Sequence, residues 1–226
     1  MDLVFLGIND AGWDIYEWLC ERDDVNVVAL LTTKEQLDLI EKLEPDIVVC
    51  VGYQHILPEN IISIPDLGCL NVHPGYLPQT RGFNPNVWST IDGLPAGATI
   101  HYMDADIDTG DIIARQRVKQ SFDDTGKSLY NRVEKACVEL FIETWPDIIS
   151  GDVETVSQTD HKATYHYKSE FEEVCKIDPQ ETYKAKELLD ILRALTFPPF
   201  NNTFIEIDGE KYYVEIDITS ADETDR

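Results

Sequence analysis

The chain has 226 residues, 43% hydrophobic and 27% charged, a balance that supports one main buried core and excludes a disordered chain. Lysine and arginine number 18 against 43 acids, and the resulting net charge of −25 repels phosphate backbones and argues against nucleic-acid binding. No apolar run approaches the roughly 20 residues that span a bilayer, and Met1-Asp2-Leu3-Val4-Phe5 lacks the basic flank of a signal peptide, so a soluble, cytoplasmic protein with no membrane association is expected.

Leu3-Val4-Phe5-Leu6 is a continuous apolar run closed by Gly7, and Ile15, Trp18 and Leu19 then keep helical spacing, so a strand leads into a helix. Val25 to Leu31, an amphipathic segment through Leu37, Ile40 and Leu43, and Ile47 to Val51 repeat the alternation. Strands separated by helices imply a parallel sheet, and unbroken Val/Ile/Leu runs imply strands buried on both faces. A short helix follows Pro58, and Gly68 to His73 forms the next strand, terminated by Pro74 and Gly75. Pro78, Gly82, Pro85, Gly93, Pro95 and Gly97 crowd the stretch 74–97, most of which reads as a long shaped loop. Ala98 to Met103 and Asp111 to Val118 are expected strands around a polar corner at 104–110.

From Thr125 a long amphipathic helix runs to Ile148 and stops at Gly151. It closes a main domain placed at residues 1–155. Residues 156–226 form a small unit: a polar connection, a helix centred on Ala185 to Ala194, a Phe197-Pro198-Pro199-Phe200 turn, and a β-hairpin of Phe204 to Ile207 and Tyr212 to Ile218 around Asp208-Gly209. The five cysteines (Cys20, Cys50, Cys69, Cys137, Cys175) form no C-x-x-C pair and read as reduced, structural residues.

Asn71 and His73 stand two apart on one strand, so both side chains leave the same face, near the strand's C-terminal end where parallel sheets bind ligands. An amide beside an imidazole suits a reaction in which a carbonyl oxygen gains negative charge. A nearby carboxylate would raise the imidazole pKa and keep it protonated, and Asp108 in the turn Ile107-Asp108-Thr109-Gly110 is the candidate. Taken singly, each also fits a bland role: Asn71 satisfying backbone groups, His73 ending a strand, Asp108 holding a turn.

Other motifs carry less. Thr125-Gly126-Lys127-Ser128 has Ser121 where a phosphate loop needs its first glycine, and Asp123 and Asp124 oppose phosphate. Gly7 and Gly12 do not complete a G-x-G-x-x-G fingerprint, which disfavours a nicotinamide cofactor. His161 and His166 lack ligating neighbours at metal spacing, so no metal is expected.

Leu70-Asn71-Val72-His73-Pro74-Gly75-Tyr76-Leu77-Pro78, followed by Ala98-Thr99-Ile100-His101-Tyr102-Met103 and Ile107-Asp108-Thr109-Gly110-Asp111-Ile112-Ile113, resembles the folate-dependent formyltransferases over nearly the whole main domain. The resemblance implies a Rossmann-like α/β fold with a mostly parallel sheet and helices on both faces. It implies an enzyme in which Asn71, His73 and Asp108 are catalytic and 10-formyltetrahydrofolate is the formyl donor. Asn71 and His73 would hold the formyl oxygen, with Asp108 pairing His73. Tyr53, Gln54, His55, Ile56 and Leu57 would wall the pterin pocket, with Asp104, Ala105 and Asp106 opposite, although Tyr53, Ile56 and Leu57 equally suit a core.

Within the family the likeness is strongest to sugar N-formyltransferases, which act on a nucleotide-linked amino sugar such as a dTDP-4-amino-4,6-dideoxyhexose. Arg81-Gly82-Phe83-Asn84-Pro85-Asn86-Val87-Trp88, Thr144-Trp145-Pro146 and the segment Arg193 to Phe200 carry it. Tyr76, Arg81 and Asn84 are the candidate acceptor contacts, Arg81 either touching phosphate or sugar or bracing its loop. The chain departs from the family in a short segment 32–44 and in Phe200-Asn201-Asn202-Thr203, where a proline and glycine are usual. The alternatives are a phosphoribosylglycinamide formyltransferase and a non-catalytic folate- or nucleotide-binding protein. A tRNA formyltransferase is disfavoured by the charge of −25 and by the lack of a basic C-terminal domain. A homodimer through the strand Phe204-Ile205-Glu206-Ile207 is a further expectation.

Overall fold

The computed structural model describes residues 1–7, 9–158 and 162–221. Strands β1 (Asp2–Leu6), β2 (Asn26–Leu31), β3 (Ile47–Val51), β4 (Cys69–His73), β6 (Ala96–Tyr102) and β7 (Ile112–Val118) form a sheet in the order β2-β1-β3-β4-β6-β7. The first four run parallel because helices α1 (Asp10–Cys20), α2 (Asp38–Leu43) and α3 (Glu59–Ile62) return the chain between them. β6 and β7 then add antiparallel, closing a mostly parallel, Rossmann-like α/β sheet.

The period of two along each strand separates two cores. One face packs Leu3, Phe5, Val49, Leu70, Val72 and Ile100 beneath α1 and the long helix α5 (Gly126–Ser150), where Trp145 and Phe141 are fully buried. Thr125 caps the start of α5 by accepting the Ser128 N–H, and Gly151 ends it at φ 72°. The other face packs Val4, Leu6, Val48, Cys50 and Cys69 beneath α2 and α3. This second helical cover stops at β4. Beyond Cys69 the same face carries Asn71 and His73, and on β6 Thr99 and His101.

The stretch 74–97 is loop over 13 of its 24 residues but is not loop throughout. It contains a short strand β5 (Arg81–Gly82) and the helix α4 (Pro85–Ile91), entered from Asn84 at φ 51° with Pro85 in the first turn. Proline is compatible with that position because the first-turn N–H has no helical acceptor. Val87 and Ile91 of α4 pack against α7 (Ala185–Leu195) in a third cluster with Cys175, Ile177 and Phe204.

The connection before α7 is likewise ordered, with β8 (Tyr165–His166), α6 (Lys168–Val174) and β9 (Lys176–Ile177). β8 runs parallel to β5. β10 (Phe204–Ile207) sits between β9 and β11 (Glu210–Tyr213). The second hairpin strand therefore starts two residues earlier than Tyr212 and ends at Tyr213. Asp208 and Gly209 both have positive φ, the two-residue turn that pairs Ile207 directly with Glu210. Among the described residues no helix is long and apolar enough to cross a membrane.

Candidate active site

Asn71 and His73 leave β4 on the face that the helices leave uncovered, and the 103–111 loop folds back over them to deliver Asp108. Asp108 Oδ1 accepts from Asn71 Nδ2 at 3.3 Å, and its Oδ2 lies 3.6 Å from His73 Nδ1 and accepts the Gly82 N–H at 2.9 Å. The three residues singled out in the sequence thus form one cluster. Asp108 holds φ 57°, a left-handed conformation that aspartate tolerates better than most residues.

His101 joins the cluster. Antiparallel pairing sets it opposite Asn71, with Asn71 Nδ2 3.1 Å from His101 Nε2 and Asp108 Oδ1 3.5 Å from the same nitrogen. His101 Nδ1 is 2.7 Å from the Tyr102 carbonyl, which only accepts, so Nδ1 carries the proton and Nε2 presents a lone pair to the Asn71 amide. His73 Nε2 is 3.0 Å from the Thr80 carbonyl and donates to it for the same reason, leaving Nδ1 turned toward Asp108.

Only 4% of His73 is exposed, and burial lowers its pKa despite the opposing pull of Asp108; His101 lowers it further. This corrects the expectation of an imidazole kept protonated, because desolvation of the charged form outweighs the carboxylate. Burial also works against the Asp108 anion, but the positive charge that His73 carries once protonated, the neighbouring His101 and the Gly82 N–H outweigh it and hold the carboxyl well below the usual carboxylate range. At neutral pH the site is an ionised carboxylate facing the bare Nδ1 of a neutral imidazole. A proton arriving at Nδ1 would be stabilised at once by Asp108.

Arg81 does not open toward the cluster. It is 7% exposed and donates through Nε and Nη2 to Gln158 Oε1 at 3.2 and 2.8 Å. Gln158 Nε2 in turn donates to the carbonyls of Asp108 and Gly110 at 2.9 and 2.7 Å, so Arg81 braces the Asp108 turn. Asn84 supplies the left-handed residue before α4. Tyr76 lies away from the triad, its ring stacked against the guanidinium groups of Arg115 and Arg117.

In the segment assigned to the donor, Leu57 is buried, Tyr53 donates to the Thr33 carbonyl at 3.1 Å, and Ile56 is 61% exposed. Gln54 and His55 are exposed, as are Asp104, Ala105 and Asp106 opposite. Ile107, beside Asp108, is a second exposed apolar side chain. His166 stacks on Trp88 at 3.9 Å between ring centroids, with Nε2 3.0 Å from Asp92 Oδ2; His161 lies outside the described residues.

His101, Gln158, Thr80 and Gly82 were not singled out in the sequence. His101 was within reach, since an antiparallel β6 aligned so that Asn71 meets His101 would have placed it. Gln158 lies fifty positions from Asp108 and belongs to no motif.

Residues 19–145, more than half of the chain, match the model of the formyl transferase family. The chain belongs to that family. A second model, the N-formyltransferase dimerization C-terminal domain, matches residues 170–220. Methionyl-tRNA formyltransferase of Lachnospira eligens is 36% identical over 73% of this chain and 51% of its own length. The chain spans about half the length of the curated relatives it matches. Among solved structures, a 4-N formyltransferase from Francisella tularensis superposes with a TM-score of 0.88 at 26% identity, over 97% of this chain and 98% of that one. The formyltransferase PseJ from Anoxybacillus kamchatkensis, in complex with UDP-4,6-dideoxy-4-formamido-L-AltNAc and tetrahydrofolate, superposes with a TM-score of 0.67 at 28% identity, over 76% and 89% of the two chains.

Proposed function

We propose that this formyltransferase moves a formyl group from 10-formyltetrahydrofolate to the amine of a nucleotide-linked amino sugar. The observation that carries the acceptor class is the likeness to PseJ, whose complex holds UDP-4,6-dideoxy-4-formamido-L-AltNAc, over 76% of this chain and 89% of that one. A charge of −25 opposes a tRNA acceptor. Tetrahydrofolate in the PseJ complex supports the donor.

In this reading the sugar amine attacks the formyl carbon as the bond from that carbon to the donor's nitrogen breaks. Asn71 directs its amide N–H to the formyl oxygen as negative charge grows there. Both amide hydrogens already have acceptors, His101 Nε2 at 3.1 Å and Asp108 Oδ1 at 3.3 Å, so the longer bond is the one surrendered. Neutral His73 takes the amine proton at Nδ1, and Asp108 stabilises the imidazolium before the proton passes to the departing nitrogen. Tyr53 to Leu57 and Asp104 to Asp106 line the donor side.

The test incubates the protein with 10-formyltetrahydrofolate and a panel of dTDP-, UDP- and GDP-linked amino sugars, reading products by mass spectrometry. One added carbonyl on a sugar is expected. Formylation of glycinamide ribonucleotide or methionyl-tRNA with every sugar silent would replace the acceptor. Tight folate binding with no product from any amine would leave a binding protein.

We further infer that the partner is a second copy of the chain, as the name of the model matching residues 170–220 suggests. β10 is flanked by β9 and β11, so Phe204–Ile207 is not the open edge expected from the sequence; that edge belongs to β11, whose Tyr212 and Tyr213 are exposed. Sedimentation at micromolar concentration should give twice the chain mass, and a monomer there would remove this inference.

A further inference from the structure

In a chain with 43 acids and 18 basic residues, several arginines pair with carboxylates. Arg22 meets Asp24, Arg132 meets Asp124, and Arg193 meets Asp190. Arg115 and Arg117 meet none among the described residues. They stand two apart on the edge strand β7, both exposed on one face, and their guanidinium carbons lie 4.8 and 4.9 Å from the centroid of a single ring, Tyr76. Cation–π attraction to that one ring favours gathering the two like charges there. Arg115 uses one Nη1–H on the Leu77 carbonyl at 2.7 Å, and Arg117 makes no side-chain hydrogen bond among the described residues.

This pair is tied to the catalytic strand. His73 pairs with Thr99, and Thr99 pairs with Arg115, so the three lie in one row across β4, β6 and β7. Two strand spacings put Arg115 about 10 Å from His73. The segment Gly75 to Leu77 that leads from His73 to Tyr76 is pinned over that row. Thr99 Oγ1 donates to the Gly75 carbonyl at 2.7 Å and accepts the Leu77 N–H at 3.2 Å. The scale of this reach matches a hexose ring with its anomeric phosphate, the distance from a reacting amine to the anionic part of a nucleotide-linked sugar.

We propose that Arg115 and Arg117, gathered on the Tyr76 ring, bind the diphosphate of the acceptor; this rests on the nucleotide-sugar reading above. Guanidinium groups present planar forks of N–H donors that match phosphate oxygens in pairs. A basic pair in a strongly negative field also favours an incoming dianion on that face. The edge strand equally gains protection from pairing with other chains by carrying charge, and that alternative predicts no affinity for a free anion.

The deciding experiment titrates inorganic pyrophosphate, then dTDP and UDP, into the full chain by isothermal calorimetry at low and moderate salt. Binding that weakens with salt is expected, and Arg115→Gln/Arg117→Gln should lower affinity about tenfold or more. Arg117→Gln alone, which breaks no hydrogen bond, should weaken it several-fold. Equal affinities in wild type and double variant, or no pyrophosphate binding, would overturn the site. A loss confined to variants of Arg115 would do so too, by tracing the effect to the Leu77 carbonyl. With a formylated sugar in hand, the double variant should raise KM for that sugar with kcat and the folate KM unchanged. A raised folate KM with the sugar KM unmoved would transfer the anion to the donor's carboxylates and refute the assignment. If no sugar is formylated, the acceptor reading fails by itself while the pyrophosphate titration still decides the site.

Discussion

Asn71 and His101 face each other across the antiparallel β4–β6 pair, the amide nitrogen of one 3.1 Å from the ring nitrogen of the other. His101 is fixed by its bond to the Tyr102 carbonyl, so it orients the Asn71 amide with its N–H groups toward the reacting region. His101→Leu removes that acceptor and should lower kcat about tenfold with little change in either KM, whereas His101→Gln, which restores an acceptor, should recover part of the loss. Equal kcat in wild type and His101→Leu would reduce His101 to core packing.

The pH dependence follows from the burial of His73. Its folded pKa is lowered, so the neutral form that accepts the amine proton prevails at neutral pH and is lost only in acid. kcat/KM should hold level above pH 7 and fall below the ordinary histidine value of about 6.5. The same sign governs stability. A group with a depressed folded pKa contributes fully above its unfolded value and loses that contribution as pH falls through the folded one. A profile that instead declines as pH rises through neutrality would show His73 acting as a protonated donor.

Asp108 lends itself to a charge-only substitution. Asparagine tolerates the left-handed φ of 57°, so Asp108→Asn keeps the backbone while removing the negative charge that stabilises protonated His73. A fall in kcat of about 10² to 10⁴ is expected with the melting temperature lowered only slightly. Asp108→Ala adds backbone strain at the same turn and should cost further stability. Near-wild-type turnover in Asp108→Asn would take the carboxylate out of the mechanism.

What the sequence made legible follows from where physics is local. β3 (Ile47–Val51) reads directly from five apolar residues in a row, and α5 from its Thr125 cap, its periodicity and Gly151. Asn71 and His73 share a face because the strand repeat is two. Helix α4 was lost in a segment crowded with proline and glycine, since its stability comes from packing Val87 and Ile91 against α7, a hundred residues on. The protonation of His73 was misjudged for a related reason. The neighbouring carboxylate is visible in a motif, whereas the burial that outweighs it arises only once the 74–80 segment folds over the ring.

A net charge of −25 should make stability depend on salt. The screening length shrinks from roughly 30 Å at 0.01 M to about 3 Å at 1 M, which removes most of the self-repulsion in the folded surface. The melting temperature should rise by about 5 °C or more across that range of potassium chloride. A flat or falling melting temperature would show that the acids are already neutralised by their neighbours.

Gly82 links the β5–β8 ladder to the catalytic carboxylate and separates strain from function. Its N–H donates to Asp108 Oδ2 at 2.9 Å, its φ is 88°, and a Cβ placed there would stand 2.3 Å from the His166 carbonyl oxygen. That oxygen already accepts the Phe83 N–H at 2.9 Å, so it has no freedom to withdraw without breaking the ladder. Gly82→Ala should therefore destabilise the protein by about 1–3 kcal/mol and also lower kcat at least several-fold, because the N–H leaves Asp108. Gly93 supplies the control: its φ is 66°, but nothing lies within 4 Å of the added atom. Gly93→Ala should show a similar strain in thermal melts with kcat unchanged. If both variants lose stability and neither loses kcat, the Gly82 N–H has no part in tuning Asp108.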